Sequence, residues 1–409
     1  MRGLLGRGER VTHASEGERI DIVLDRTPFY AESGGQVGDT GVIENASGAR
    51  VRVLDTQYGL PGTLVVHRGE VERGTISEDD EVTARIDGAR RDRIRRNHTA
   101  THVLHWALRE VLGSHVKQAG SLVAPDRLRF DFSHHEALTQ EQLDQVEQLA
   151  NDEIITDAPV RHYETTREHA ESLGAIAFFG DKYGDLVRML EAGEHSIELC
   201  GGTHVHALGF IGPVKIVSEG SIGANLRRIE AVTGEAALAR IHDEELQLRR
   251  AAAALSVAPA EVPERVERLV ERVKVLQDEL AAQRRRQAAA EGAALAAEAV
   301  DGAVVVRRDG LAGDELRGLA LAARDALGSG VVALVGVADG KGALAVAVTK
   351  DLVDAGVSAV ALAGAAAKAM GGGTSRDDAL AVGGGPRADG VDEALELLRA
   401  AVREVGSHG

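Results

Sequence analysis

The spacing of apolar residues changes several times along the chain, which excludes one repeated architecture and indicates several domains in 409 residues. Up to about residue 88, apolar and polar residues alternate in short runs, as in Arg19–Leu24 and Arg50–Leu54, with a turn cluster at Ser33–Gly35. Such alternation is typical of strands that pack one face on a core. We therefore predict a small β-barrel at residues 1–88, with a sandwich as the alternative.

Helical spacing replaces this alternation at about Arg90. Leu104, Leu108, Val111 and Leu112 recur every three to four residues, and Gly113 follows as a stop signal. The pattern then predicts a strand at 127–132, a helix at 139–156 and a region rich in strands and loops at 186–232. This mixture predicts an α/β domain at residues 89–237.

A longer helical pattern lies beyond this domain. Five apolar residues step by 3, 4, 3 and 4, which is the spacing of a coiled-coil seam: Val266, Leu269, Val273, Leu276 and Leu280. An alanine-rich stretch continues to about Ala299. We predict a helical, coiled-coil-like segment at residues 238–299, acting either as an arm between domains or as a pairing surface.

The last hundred residues alternate predicted strands (304–306, 331–337, 343–348) with helices (313–326, 351–370, 391–404), which indicates a small α/β domain at residues 300–409. Glycine clusters at Gly371–Gly373 and Gly383–Gly385 allow either close backbone approach to RNA or simple turns. The whole chain is thus predicted to be an α+β protein of four domains.

Charge and cysteine content limit the classes of partner. A net charge of −17 argues against indiscriminate binding of nucleic acid, so we expect no DNA partner, and an aromatic content of 3% argues against extensive base stacking. One local basic patch remains, with a solvated helix face as its alternative interpretation: Arg85, Arg90, Arg91, Arg93, Arg95 and Arg96. The single cysteine, the lack of a membrane-length apolar run and the lack of a signal peptide favour a cytoplasmic protein.

Two pairs of residues could bind a metal ion. His98 and His102 are four apart in a helix that we expect to begin near Asn97, so both imidazoles lie on one face, with His105 on the same side. Cys200 and His204 form a second pair in a glycine-hinged turn. Thiolate and imidazole together favour zinc over calcium or magnesium. A free cysteine can also be a buried apolar filler, and the spacing does not show that the two pairs meet.

The segments that carry these pairs resemble the paired zinc motifs of the alanyl-tRNA synthetase editing domain and its freestanding relatives. They are Arg95-Arg-Asn-His-Thr-Ala-Thr-His102 and Cys200-Gly-Gly-Thr-His204. Thr27-Pro-Phe-Tyr-Ala-Glu-Ser-Gly-Gly-Gln36 resembles the signature of the preceding β-barrel, and Lys117–Val123, Arg129–His134 and Arg227–Glu230 also fit. The C-terminal glycine clusters are similar to those of the C-Ala domain.

This resemblance implies hydrolysis of seryl- or glycyl-tRNA made in error for alanine tRNA. It implies Zn²⁺ held by His98, His102, Cys200 and His204, and places Gln118 in the editing pocket. Thr99, Glu198 and Thr203 lie within or beside the motifs, with alternatives for two of them: Thr99 as a helix cap and Glu198 as an exposed strand residue. A C-Ala domain implies tRNA-elbow binding and leaves a homodimer through the C-terminal region open.

A full synthetase of this family carries a class II catalytic domain and a helical tRNA-recognition domain before the barrel. We expect neither in this chain, and hence no aminoacylation; a fragment and a freestanding editor both fit. Whether zinc activates water or only shapes the pocket also stays open, because four protein ligands fill a tetrahedron.

Two other functions compete with editing. One is a tRNA-binding module with a structural zinc, and the other is a different zinc hydrolase such as a peptidase. The peptidase is disfavoured because His98-Thr-Ala-Thr-His102 lacks the glutamate of His-Glu-x-x-His enzymes.

Overall fold

The computed structural model describes residues 1–60, 62–176 and 185–406. The chain divides into two compact units, Met1–Ala254 and Leu255–Gly409. Both combine helices with β-sheets, so the predicted α+β multidomain class is confirmed. The finer division into four domains stays a prediction.

The first unit begins with nine strands. These are β1 (Gly3–Gly6), β2 (Glu9–Val11), β3 (His13–Ser15), β4 (Arg19–Val23), β5 (Gly41–Asn45), β6 (Arg50–Leu60), β7 (Leu64–Arg73), β8 (Thr75–Ser77) and β9 (Val82–Ile86). Seven form an antiparallel sheet in the order β2-β1-β4-β7-β6-β5-β9, and β3 pairs with β8. Alternate residues such as Leu4, Ile22, Ile43 and Val51 fill its core. Closure of this sheet into a barrel stays a prediction.

The same unit continues with helices and two further sheets. Its elements are α1 (Gly88–Leu112), β10 (Gln118–Val123), β11 (Leu128–Ser133), α2 (Gln140–Ile155), β12 (Val160–Thr166), α3 (Arg167–Ser172), β13 (Leu186–Ala192), β14 (Ser196–Leu199), β15 (Val214–Gly223), β16 (Leu226–Thr233) and α4 (Gly234–Leu255). One sheet runs β10-β11-β16-β15 and the other β12-β13-β14. Leu104 and Leu108 of α1 pack with Phe130 and Phe132 of β11 in one core, which fixes α1 against the four-stranded sheet.

Helix α1 begins nine residues before the expected start near Asn97. The Asp87 side chain accepts a hydrogen bond from the Arg90 amide and caps the helix at Gly88. No apolar period marks this first part of the helix, because most of its residues are arginines. The arginines at positions 90–96 therefore lie within the helix.

The second unit holds the longest helix and one five-stranded sheet. Its elements are α5 (Val262–Ala297), β17 (Ala303–Arg307), α6 (Gly313–Leu327), β18 (Val331–Ala338), β19 (Lys341–Val348), α7 (Lys350–Asp354), α8 (Ala359–Ala369), β20 (Gly373–Thr374), β21 (Leu380–Gly385) and α9 (Val391–Gly406). The strand order is β17-β18-β19-β21-β20, with β17 and β18 parallel and the other pairs antiparallel.

Two predictions for this unit need correction. The helix expected at 351–370 is two helices, since Gly356 adopts a φ of +94° between them. Gly383–Gly385 do not form a turn but belong to β21, where a Cβ at Gly384 would overlap the backbone of Gly342 in β19. These glycines thus permit close approach between strands.

Helix α5 contains the predicted heptad seam. Its five seam residues are 38–52% exposed within the described chain. Coiled-coil pairing therefore stays a prediction. Among the described helices, none is both long and apolar enough to cross a bilayer.

Candidate metal centre

The two predicted ligand pairs converge in the first unit. Ligand atoms of His98, His102, Cys200 and His204 all lie within 4.8 Å of one another. The Cys200 Sγ is 3.4 Å from His98 Nε2 and 3.3 Å from His204 Nε2. Tetrahedral zinc with ordinary bond lengths separates sulfur and nitrogen ligands by about 3.5 Å. The donor set and its spacing thus fit a zinc ion.

Each imidazole is held at Nδ1 by a different partner. His98 Nδ1 lies 2.7 Å from Gln36 Oε1, and His102 Nδ1 lies 2.5 Å from Glu198 Oε2. His204 Nδ1 lies 3.3 Å from the Thr99 hydroxyl. Partners of this kind fix the ring orientation of metal-binding histidines and leave Nε2 as the ligand atom.

Thr99 and Glu198 therefore support the cluster, and both alternative interpretations are wrong. The Thr99 hydroxyl donates to Arg95 O and accepts from the Val205 amide, whereas Asp87 caps the helix. Glu198 is 1% exposed, and its second oxygen lies 2.8 Å from His105 Nδ1. His105 thus shares Glu198 with His102 and is not one of the four clustered residues.

Gly202 makes room for the first imidazole. A Cβ at this position would overlap the His98 ring, whereas a Cβ at the adjacent Gly201 would meet nothing within 4 Å. The cysteine loop can approach α1 only because residue 202 lacks a side chain.

Gln36 is a residue of the site that the sequence analysis did not assign. It is fully buried, and its Oε1 accepts from the Thr203 amide at 2.9 Å as well as facing His98. The Thr203 hydroxyl donates to the same oxygen at 3.2 Å. Gln36 thus joins the metal helix to the cysteine loop. It is the last residue of the segment that resembles the barrel signature, but its position in the sequence does not indicate a contact with His98.

A buried ion pair positions the loop that carries Gln36. Arg91 Nε lies 2.9 Å from both carboxylate oxygens of Asp39, and the guanidinium also donates to Pro28 O. The Asp39 carboxylate in turn accepts from the Tyr30 amide at 2.7 Å. Arg91 is 7% exposed, so in this structure it anchors the loop and does not face solvent.

Burial and neighbouring charges set the protonation of the cluster. Burial raises the pKa of the Cys200 thiol, but the surrounding imidazoles outweigh it and hold that pKa well below its usual value. Burial lowers the pKa of His204 to about 3. Burial also lowers the pKa of His102, yet the Glu198 carboxylate and Cys200 raise it to about 10. A thiolate and a neutral His204 are metal-binding forms; on His102 a metal would replace the Nε2 proton while Nδ1 stays with Glu198.

The remaining predicted site residues are not among the four clustered ones. Gln118 is half-buried at the first position of β10. Of the arginines, Arg93 is exposed, while Arg90 donates to Gly38 O and Arg96 to Phe210 O. Arg95 pairs with Asp92 one turn earlier in α1.

Two family profiles match parts of the chain. The family described as tRNA synthetases class II (A) matches residues 1–90. The family described as Threonyl and Alanyl tRNA synthetase second additional domain matches residues 187–230, which include Cys200 and His204. Two separate parts of the chain thus match families of tRNA synthetases.

Curated relatives extend the match to nearly the whole chain. The alanine–tRNA ligase of Mesorhizobium japonicum is 44% identical over 421 residues, covering 98% of this chain and 47% of the relative. That of Acetivibrio thermocellus is 46% identical over 390 residues, covering 94% and 44%. The chain thus spans about half the length of these relatives. It belongs to the alanine–tRNA ligase family and fits a C-terminal half of its members.

One solved structure is also similar to part of the chain. The C-Ala domain from Aquifex aeolicus alanyl-tRNA synthetase is 28% identical, and the match covers 24% of this chain and 86% of that one at a TM-score of 0.22.

Proposed function

We propose that this chain hydrolyses the ester of serine or glycine wrongly attached to alanine tRNA. The convergence of one thiol and three imidazoles, each ring held by its own partner, is the observation that carries the proposal. Membership of the alanine–tRNA ligase family and the match to the second additional domain support the substrate class.

His98, His102, Cys200 and His204 would hold the metal, for which we propose Zn²⁺. Zinc supplies Lewis acidity toward an ester carbonyl. The chain itself keeps the three rings and the thiolate in position before the metal binds. The three rings are held from buried positions by Gln36, Thr99 and Glu198.

Discrimination between amino acids would come from polar side chains near the metal. Thr203 presents a hydroxyl beside the cluster, and we propose Gln118 as a further contact that orients water or substrate. A pocket that hydrogen-bonds the serine hydroxyl leaves its own polar groups unsatisfied with alanine, which is a strong rejection. This argument applies to serine. Glycine is smaller than serine, so a pocket that accepts serine also has room for glycine.

Binding of tRNA would use local positive charge. We propose Arg93 as a phosphate contact, with Arg90, Arg95 and Arg96 beside it on α1. Arg91 is not among these phosphate contacts, because its guanidinium is buried against Asp39. Phosphate contacts of this kind weaken with added salt. We further propose that the second unit binds the tRNA elbow and offers a surface for dimerisation, in a cytoplasmic protein.

The test is deacylation by the purified full chain after its zinc content has been measured. Seryl- and glycyl-tRNA specific for alanine should lose their amino acid, and alanyl-tRNA should be spared. His98→Ala should abolish the reaction, while His13→Ala, an exposed histidine of β3, should not change it.

A second candidate is a tRNA-binding module in which zinc is purely structural. The observation that favours it is the set of four protein ligands, which closes a tetrahedron as structural zinc sites do. Full zinc occupancy and tRNA binding without turnover would establish this function and reject editing.

A further inference from the structure

A second cluster of imidazoles lies in the first unit, away from the four residues described above. Ligand atoms of His115, His134 and His135 lie within 4.8 Å of one another. His115 belongs to the segment between α1 and β10, and His134 and His135 directly follow β11. The cluster contains no sulfur and shares no residue with the first one.

The backbone around these histidines is held by a dense set of hydrogen bonds. The Ser133 hydroxyl donates to His115 O at 2.8 Å and accepts from the Lys117 amide at 3.0 Å. The His134 amide donates to Asn225 O at 3.0 Å. The two segments that carry the rings are thus fixed side by side before any ligand binds.

Two of the three imidazole rings can rotate to bind a metal ion. His115 Nε2 lies 2.9 Å from His134 Nδ1, a hydrogen-bond distance. Two imidazole nitrogens on one tetrahedral ion are about 3.4 Å apart. His115 and His135 are exposed, so a small rotation opens this gap, whereas His134 is 5% exposed and stays in place. Among the described residues, His134 Nε2 is buried without a hydrogen-bond partner, so the hydrogen bond to His115 is made through Nδ1 alone.

Two guanidinium groups near the cluster already have partners. Arg227 is paired with both oxygens of Glu219 at 2.5 and 2.7 Å. Arg109 donates to Ser114 O and Val116 O, on either side of His115, at 3.1 Å each. The Glu136 carboxylate lies 3.8 Å from His135 Nε2 and adds negative charge at the rim.

We propose that His115, His134 and His135 form a second metal site, which takes a divalent transition ion such as Zn²⁺ or Ni²⁺. Three imidazoles select such ions over Mg²⁺ and Ca²⁺, which require oxygen ligands. The ion cross-links the segment entering β10 to the end of β11. This site does not depend on the editing activity proposed above.

The test is metal stoichiometry by equilibrium dialysis of the full chain against Zn²⁺ and Ni²⁺. The unaltered protein should bind two equivalents, and the double variant His115→Ala/His135→Ala one. Both substitutions are at exposed residues, so the fold should be retained. A double variant of exposed histidines outside both clusters, His13→Ala/His169→Ala, should still bind two.

Cobalt distinguishes the two sites spectroscopically, because only the Cys200 site can give a thiolate-to-cobalt absorption band. Cys200→Ala should lose this band and retain one equivalent of Co²⁺, and the added His115→Ala/His135→Ala change should remove that equivalent. The proposal is overturned if the double variant His115→Ala/His135→Ala binds as many equivalents as the unaltered protein. That result does not depend on whether the chain hydrolyses any tRNA.

Discussion

At the scale of single residues, the candidate metal centre depends on residues outside the cluster of four. Gly202, Gln36, Thr99 and Glu198 each act on one ring or on the loop beside it. Two of them allow sharp tests because the chain offers matched controls.

We expect Gly202→Ala to weaken zinc binding by on the order of 10–100-fold, as loss of ring orientation does at other metal sites. The new methyl group would overlap the His98 ring, which must then move. Gly201→Ala is the control, because its methyl group meets nothing within 4 Å. Competition with a chromophoric chelator measures both affinities, and equal values for the two variants would contradict the assigned role of Gly202.

Gln36→Ala should also lower zinc affinity by about 10-fold or more, since His98 loses the oxygen that holds its Nδ1. Gln36→Glu should retain more affinity, because it keeps an acceptor at that place. The control is Gln57→Ala, a glutamine of β6 that contacts Glu32 and Asp55 instead. An unchanged affinity in Gln36→Ala would show that the ring needs no such support.

The residues differ in how far sequence could predict them. Helical spacing predicts that His98 and His102 form a pair. The short glycine-containing turn predicts the same for Cys200 and His204. Gln36 could not be found this way, because 62 positions separate it from His98 and no period links a barrel loop to a helix. Arg91 was misassigned for a related reason: a run of arginines indicates surface charge, and only the fold shows that Asp39 takes one of them inside.

At the scale of elements, long periodic segments were predicted well and caps and glycines less well. The position of α2 (Gln140–Ile155) agrees with the helix predicted at 139–156, and Thr139 caps it. The start of α1 was missed because Asp87 caps a turn without apolar residues. Strand β21 was missed because its glycines resemble a turn until β19 is placed beside them.

The first sheet contains a buried histidine that should make its stability depend on pH. His67 of β7 contacts the Thr27 hydroxyl and Ile22 O, and burial lowers its pKa below the ordinary value. An unfolded histidine takes up a proton near pH 6.5, whereas the folded His67 does so only at a lower pH. Below that pH the unfolded state binds more protons, so the free energy of unfolding falls as the pH falls, by at most about 1.4 kcal/mol for each pH unit.

Urea unfolding at pH 7.5 and pH 5.5 tests this dependence. His67→Gln should show a smaller loss of stability between the two pH values than the unaltered chain. His13→Gln, at an exposed position of β3, should retain the full loss. An identical pH dependence in His67→Gln would exclude His67 as the source.

At the scale of the whole molecule, the two units have separate hydrophobic cores. The cores around Phe130 and Ile43 lie within residues 1–254, and those around Val346 and Leu334 lie within residues 255–409. All four residues of the candidate metal centre belong to the first unit.

A chain truncated after Ala254 should therefore fold, unfold cooperatively on heating and bind as much zinc as the full chain. Its affinity for alanine tRNA should be lower, while its rate on saturating mischarged substrate should change less. Metal analysis, thermal unfolding and tRNA binding at one fixed salt concentration measure these properties. Loss of zinc on truncation would show that the units are not independent, and an unchanged tRNA affinity would reject the proposed role of the second unit.

The distance in sequence between the clustered residues also bears on how the protein is made. A donor set that joins His98 to His204 is incomplete on the ribosome until His204 has been synthesised, 106 residues after His98. Domains generally fold as units from the N-terminus during synthesis. Metal loading can thus begin while the second unit is still emerging, and a nascent chain stalled before Cys200 would expose two histidines with no thiolate to complete their site.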